Sequence, residues 1–178
     1  EHISCKVAPK ALRPLPFMRP KTGLESKFSM PHALAAAVHF GELRIASFSD
    51  EAVQNEKIRA LYDRIDAVED LACTEGDPNF EKKSSGTRGF VLVEVKLVDG
   101  TAEGARVDVP PGHPKRELTW DDLEAKFLDC ADSCGVARTT AHSAFADLRD
   151  LGNVADISRL AERLTIPGAD ASLKVGAV

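Results

Sequence analysis

Two histidines stand among basic and hydroxyl side chains in patterns that can support proton transfer. His113 follows Gly112 in a short loop and comes just before Lys115 and Arg116. An imidazole there can serve as a base, and the two cations can hold a carboxylate through charge-assisted hydrogen bonds. The competing reading is a turn histidine bonded to backbone. His32 lies in the first turns of an alanine-rich segment, Met30-Pro-His-Ala-Leu-Ala-Ala-Ala-Val38. The positive end of a helix there favours anions and a neutral imidazole that can act as base or donor. The competing reading is a partly buried structural histidine. Ser29 reads first as a helix cap and Lys27 as a solvated cation, and both are candidate substrate contacts beside His32. His39 ends the same helix, where it suits the dipole, His142 lies in a helix with no visible partner, and His2 stands near the start of the chain; none of the three is assigned a role.

Other chemistries find no support. There is no phosphate-binding loop, no His-Glu-x-x-His and no Gly-x-Ser-x-Gly. Cys5, Cys73, Cys130 and Cys134 contain no Cys-x-x-Cys pair, so no zinc pattern is present. Cys130 and Cys134 lie one helical turn apart and are expected to pack in a core. Free thiols in this arrangement fit a reducing cytoplasm. The single Trp120 and single Tyr62 are too few for a base-stacking platform.

The chain has 178 residues, 43% of them hydrophobic, and a net charge of -5. That length supports a real core. The acidic balance argues against a nucleic-acid binder, and no apolar run is long enough for a membrane span. The charge is uneven. Lys6, Lys10, Arg13, Arg19, Lys21 and Lys27 face Glu1 and Glu25 in the first 27 residues, a net of +4 that leaves -9 for the remainder. Opening on Glu1 rather than Met, the chain is expected to be a piece of a longer polypeptide.

Periodicity supplies the elements that must position these residues. Residues 2–8 alternate as a strand. Pro9, Pro14, Pro16 and Pro20 make residues 9–23 an extended loop. Ser29 caps a helix ended by Gly41, with Met30, Leu34, Ala37 and Val38 as its expected inner stripe. Ser49 and Asn55 cap short helices, and a strand follows at about 65–69. Residues 73–88 read as a mobile loop. Residues 89–98 form the clearest strand, and Asp99-Gly100 turns it into a hairpin. The return strand is expected to face Ala105, Val107 and Val109 inward, with Gly104 marking a bulge. Thr119 and Asp122 make a capping box for a helix with Leu123, Phe127, Cys130 and Cys134 on its buried face. Helices at about 137–150 and 154–164 follow, the latter capped by Asn153. From Thr165 the tail is expected to be loose. This order predicts an α+β domain over residues 1–164, with an antiparallel or mixed sheet covered mainly on one face.

Three blocks carry a family resemblance. Glu25-Ser-Lys-Phe-Ser-Met-Pro-His-Ala-Leu-Ala is similar to a Phe-Ser-x-Pro-Tyr-x-x-Ala pattern, with His32 in place of the common Tyr. The strand pair across Asp99-Gly100 leads to Pro111-Gly112-His113. Leu118-Thr119, Asp121-Asp122-Leu123 and Lys126-Phe127 are similar to Pro-Leu-Thr-x-x-Glu-Leu-x-x-Lys-Phe. Together they resemble the C-terminal domain of the MmgE/PrpD family, which includes 2-methylcitrate dehydratases, cis-aconitate decarboxylases and iminodisuccinate epimerases. The resemblance implies a two-domain, usually dimeric enzyme acting on small di- or tricarboxylates without a metal or organic cofactor. It implies a large helical N-terminal domain, absent from this sequence, that carries most catalytic residues. It also implies that the family's Lys and His from the smaller domain lie upstream of the segment matching Glu1–Pro9 and have no counterpart here. A fragment of this kind is expected to be inactive alone. The rival expectation is a stand-alone, non-catalytic binding or scaffold domain.

Overall fold

Ile3, Cys5 and Val7 are buried while Ser4 and Lys6 remain partly open, so β1 (His2–Val7) packs one face and leaves the other accessible. This alternation sets the sheet. The computed structural model describes residues 2–83 and 88–165, in two compact units divided between Glu117 and Leu118.

In the first unit, β1 is followed by four short helices: α1 (Gly23–Ser26), α2 (Met30–Phe40), α3 (Asp50–Gln54) and α4 (Glu56–Arg59). The chain then enters β2 (Ile65–Glu69), which pairs parallel to β1. On the other side of β1 lies β3 (Val91–Lys96), antiparallel, followed by β4 (Ala102–Val107). The sheet is therefore mixed, in the order β2-β1-β3-β4. The β3–β4 turn is the expected Asp99-Gly100 hairpin. Gly100 sits at φ 85°, and its N–H donates to the Leu97 carbonyl at 3.1 Å.

The helices between β1 and β2 cover one sheet face. Ile3 and Ile65 from the strands meet Ala35, Ala36, Ile58 and Tyr62 in the main core, with Val93 and Val95 packed against it. A smaller cluster of Ala8, Cys73 and Phe90 closes the sheet end where β1 stops and β3 begins. There Gly89 adopts φ 146°, and a Cβ would overlap the Cys73 carbonyl oxygen. No side chain fits at that approach.

Several expectations need correction. The inner face of α2 is Pro31, His32, Ala35 and Ala36, while Val38 is 55% exposed. Alanines let the helix approach the sheet closely, and the imidazole is buried because both its nitrogens are bonded. All of β4 is exposed, Ala105 and Val107 included, because it is an edge strand with no layer over it among the described residues. Gly104 makes no bulge: it pairs in register with Glu94. Within residues 73–88, tight turns at Leu71–Thr74 and Phe80–Lys82 are formed, and Cys73 and Thr74 are buried. Residues 84–87 and 166–178 lie outside the described residues, so the expectation of a loose tail falls there.

The second unit holds α5 (Trp120–Ser133), α6 (Arg138–Arg149) and α7 (Ile157–Arg163). The capping box at α5 is present: Thr119 N–H donates to Asp122 Oδ2 at 2.8 Å, and Asp122 N–H donates to Thr119 Oγ1 at 3.1 Å. Its buried residue is Leu128, which joins Ala141, Ala144, Phe145 and Leu160 in the unit's interior. Leu123, Cys130 and Cys134 are exposed, contrary to the expected stripe. Among the described residues of this unit, three α-helices leave part of the apolar face of α5 uncovered. α7 starts later than expected, capped by Asp156, which accepts from the Ser158 N–H, while Asn153 lies in a tight turn at Leu151–Asn153 and donates its side-chain amide to Asp150 at 2.7 Å.

Candidate functional site

The loop after β4 is built by its own backbone. Pro110 and Pro111 end the strand, and Gly112 turns at φ 86°. Gly112 N–H donates to the Arg116 carbonyl at 2.9 Å, and Arg116 N–H donates to the His113 carbonyl at 2.7 Å. This two-bond bridge closes residues 112–116 into a tight ring. Within it, Lys115 N–H donates to His113 Nδ1 at 3.1 Å. An accepting Nδ1 puts the proton of the neutral ring on Nε2. Nε2 has no hydrogen-bond partner among the described residues. The imidazole is half-buried, and Lys115 and Arg116 are exposed. Arg116 is steadied by Val109, whose carbonyl accepts from Nη1 at 3.3 Å. The loop thus presents an imidazole N–H, an ammonium and a guanidinium within four residues. The turn-histidine reading and the functional reading use different nitrogens of one ring.

The second candidate group sits where α1 passes into α2. Ser29 is buried and accepts from His32 N–H at 3.1 Å, as an N-cap does. The His32 side chain is fully buried. Its Nε2 lies 2.7 Å from the Ser47 carbonyl and its Nδ1 lies 2.8 Å from Tyr62 Oη. A carbonyl accepts but never donates, so Nε2 carries the proton and Nδ1 accepts from the tyrosine. His32 therefore ties α2 to the turn at Ile45–Phe48 and to Tyr62, with Phe48 at a ring distance of 5.6 Å. Burial raises the Tyr62 hydroxyl pKa above its ordinary value, which keeps it a donor. Neither nitrogen of His32 is left open to a ligand. Lys27 follows α1 as its C-cap and is exposed. No hydrogen bond or ion pair among the described residues joins this group to His113, Lys115 or Arg116.

The open face of the sheet carries charges that residue-by-residue reading passed over. A cavity of about 510 Å³ there is lined by Ser4, Lys6, Leu92, Glu94 and Arg106, among others. The alternation of β1 was a sufficient signal, since its even positions must line this face. Arg106 stacks over Phe90 at 3.7 Å and is bound by Asp108 and Glu75, which raise its pKa further above the ordinary range. Lys6 pairs with Asp70 at 3.1 Å. These cations are already neutralised, so the cavity offers an anion little. A second cavity of about 550 Å³ is apolar, lined by Ile3, Val38, Leu61, Val95, Leu97 and neighbours. Among the described residues no three His, Cys, Asp or Glu side chains are placed to hold a metal, and no helix is long and apolar enough to cross a membrane.

Comparison with known proteins adds the context. The MmgE/PrpD C-terminal domain profile matches residues 1–149, which spans the whole sheet and runs through α6. The 2-methylcitrate dehydratase of Salmonella typhimurium strain LT2 is 33% identical over 86 residues, covering 48% of this chain and 17% of that enzyme. The 2-methylcitrate dehydratase of Salmonella typhi matches with the same identity and coverage. The aligned stretch therefore spans about a sixth of the length of the curated relatives it matches.

Proposed function

The chain belongs to the MmgE/PrpD C-terminal domain family, and from that premise we propose that it supplies the smaller, α+β part of a dehydratase-family enzyme acting on a small di- or tricarboxylate. The observation that carries the reading is the ring of residues 112–116. Proton removal next to a carboxylate piles negative charge onto that carboxylate, and fixed cationic donors lower its energy in the transition state. Lys115 and Arg116 supply such donors, and both are free of ion pairs to neighbouring acids among the described residues. His113 holds its Nε2 proton outward, ready to donate to the same group; to serve as the base it takes the other tautomer, with the proton on Nδ1 and the Lys115 N–H released. Ser29 and His32 act at one remove by fixing the start of α2, and Lys27 is the cation presented there. The main acid–base groups come from a helical partner domain, the assembly is a cytoplasmic homodimer, no metal or organic cofactor takes part, and this chain alone turns over little or no substrate.

The test starts with the intact mass of the native gene product, followed by assays of that product on 2-methylcitrate, cis-aconitate and iminodisuccinate. Each charge-assisted hydrogen bond is worth roughly 1.5–3 kcal/mol. Lys115→Ala and Arg116→Ala should therefore each lower kcat/KM by about 10- to 100-fold. His113→Gln should do the same and flatten the pH profile of kcat/KM. A native product near 19.2 kDa with no turnover would point to a binding module instead. Unchanged kcat/KM in all three variants of an active product would remove the loop from the site.

A further inference from the structure

The outward position of Cys130 and Cys134 leaves an exposed dithiol that the proposed activity does not use. Both thiols are free and exposed, and they lie one turn apart at the end of α5. The helical register holds to the last residue, with Cys134 N–H donating to the Cys130 carbonyl at 3.2 Å. Both cysteines line a single cavity of about 170 Å³, whose apolar wall includes Phe127, Ala131, Val136 and Leu164.

Geometry decides what such a pair can hold. Residues four apart on a helix have Cβ atoms about 5–6 Å apart. A disulfide wants them at about 3.5–4.5 Å. Direct oxidation would therefore unwind the last turn, whereas one bridging atom closes the gap without strain. Zinc asks for about four ligands, and no third His, Cys, Asp or Glu stands ready among the described residues. Soft thiolates select soft ions, and a monovalent d10 ion is content with two sulfurs.

We propose that Cys130 and Cys134 form a two-thiolate binding site for Cu(I). Binding forms two Cu–S bonds and releases both thiol protons, so Cu⁺ and two neutral thiols give an anionic S–Cu–S unit and two protons with no change of oxidation state. Arg163 lines the same cavity and places positive charge beside that anion, partly offset by its ion pair with Asp147. The other two cysteines are poor competitors. Cys5 and Cys73 are buried, and desolvation raises both thiols above their ordinary pKa.

The full 178-residue chain is titrated anaerobically, under a non-thiol reductant, with Cu(I) supplied as its bicinchoninate complex. Withdrawal of one equivalent per chain is expected, read as loss of the chelator's colour. Cys130→Ser and Cys134→Ser should each weaken retention at least tenfold. Circular dichroism should be unchanged, because both side chains are exposed. Bound Cu(I) should also protect these two cysteines, and neither Cys5 nor Cys73, from alkylation. Failure of the wild-type chain to withdraw copper would overturn the proposal. So would undiminished binding in either serine variant, or protection that falls on Cys5 and Cys73 instead.

Discussion

His32 and Tyr62 give a quantitative test of how the first unit is held together. Tyr62→Phe removes the donor to His32 Nδ1 and leaves a buried acceptor without a partner, which costs about 1–3 kcal/mol. His32→Ala removes the ring, opens a cavity against Phe48, and strands both the Ser47 carbonyl and the Tyr62 hydroxyl. By analogy with large-to-small core changes, that loss is about 3–5 kcal/mol. In the double variant the orphaned Nδ1 and the orphaned hydroxyl both disappear. The two penalties should then fall short of their sum by about 1–2 kcal/mol, within the range seen for groups in direct contact. Urea unfolding followed by far-UV circular dichroism measures the cycle. Fluorescence of the single tryptophan, Trp120, follows the second unit in parallel. Additivity within about 0.5 kcal/mol would refute the direct His32–Tyr62 bond. A stable His32→Ala chain would refute the structural account of that histidine altogether.

Gly89→Ala should prevent folding of the first unit, because a Cβ would overlap the Cys73 carbonyl, whereas Gly104→Ala should be tolerated, its nearest atom being Val93 O at 3.5 Å; expression and circular dichroism of the pair decide this. Thr119→Ala should cost about 1 kcal/mol by removing the cap of α5, visible as an earlier transition in Trp120 fluorescence. Asp70 is held below the usual carboxylate range, first by the Ala72 N–H and then by the hydrogen bond from Lys6. A depressed folded pKa gives stability that is whole above the unfolded value of about 3.9 and drains away as pH falls through the folded one. Asp70→Asn should therefore flatten the loss of unfolding free energy between neutral and acid pH, and an unchanged slope would rule the contribution out.

Local chemistry made much of this fold readable from sequence. Ser29, Gly41, Asn55 and Thr119 cap helices through bonds to residues two to four positions away, and such bonds are written in short windows. The Asp99-Gly100 turn is equally local. What escaped reading depends on partners far along the chain. His32 faces the core because Tyr62 and Ser47, distant in sequence, meet its two nitrogens, and no periodicity count can weigh that. Cys130 and Cys134 sit on an apolar stripe, yet whether a stripe is covered depends on how much of the fold is there to cover it. The start of α7 moved because Asn153 is drawn into the turn at Leu151–Asn153 and Asp156 takes the cap. Of the candidate site, the residues of the 112–116 ring were legible, while the direction of the His113 proton was not, since it follows from a backbone N–H two residues on.

The placement of β1 in the middle of the sheet also has a consequence for synthesis on the ribosome. Among the described strands β1 is made first, both its neighbours come later, and its β3 partner ends at Lys96. At translation rates of about 5–20 residues per second, the β3 edge of β1 waits on the order of 5–20 seconds, and the β2 edge on the order of 3–12 seconds. Such an edge invites pairing with another nascent chain. Lys6 and the prolines at positions 9, 14 and 16 lie within or just after this strand. They supply charge and missing N–H groups where an intruding strand would otherwise extend the pairing.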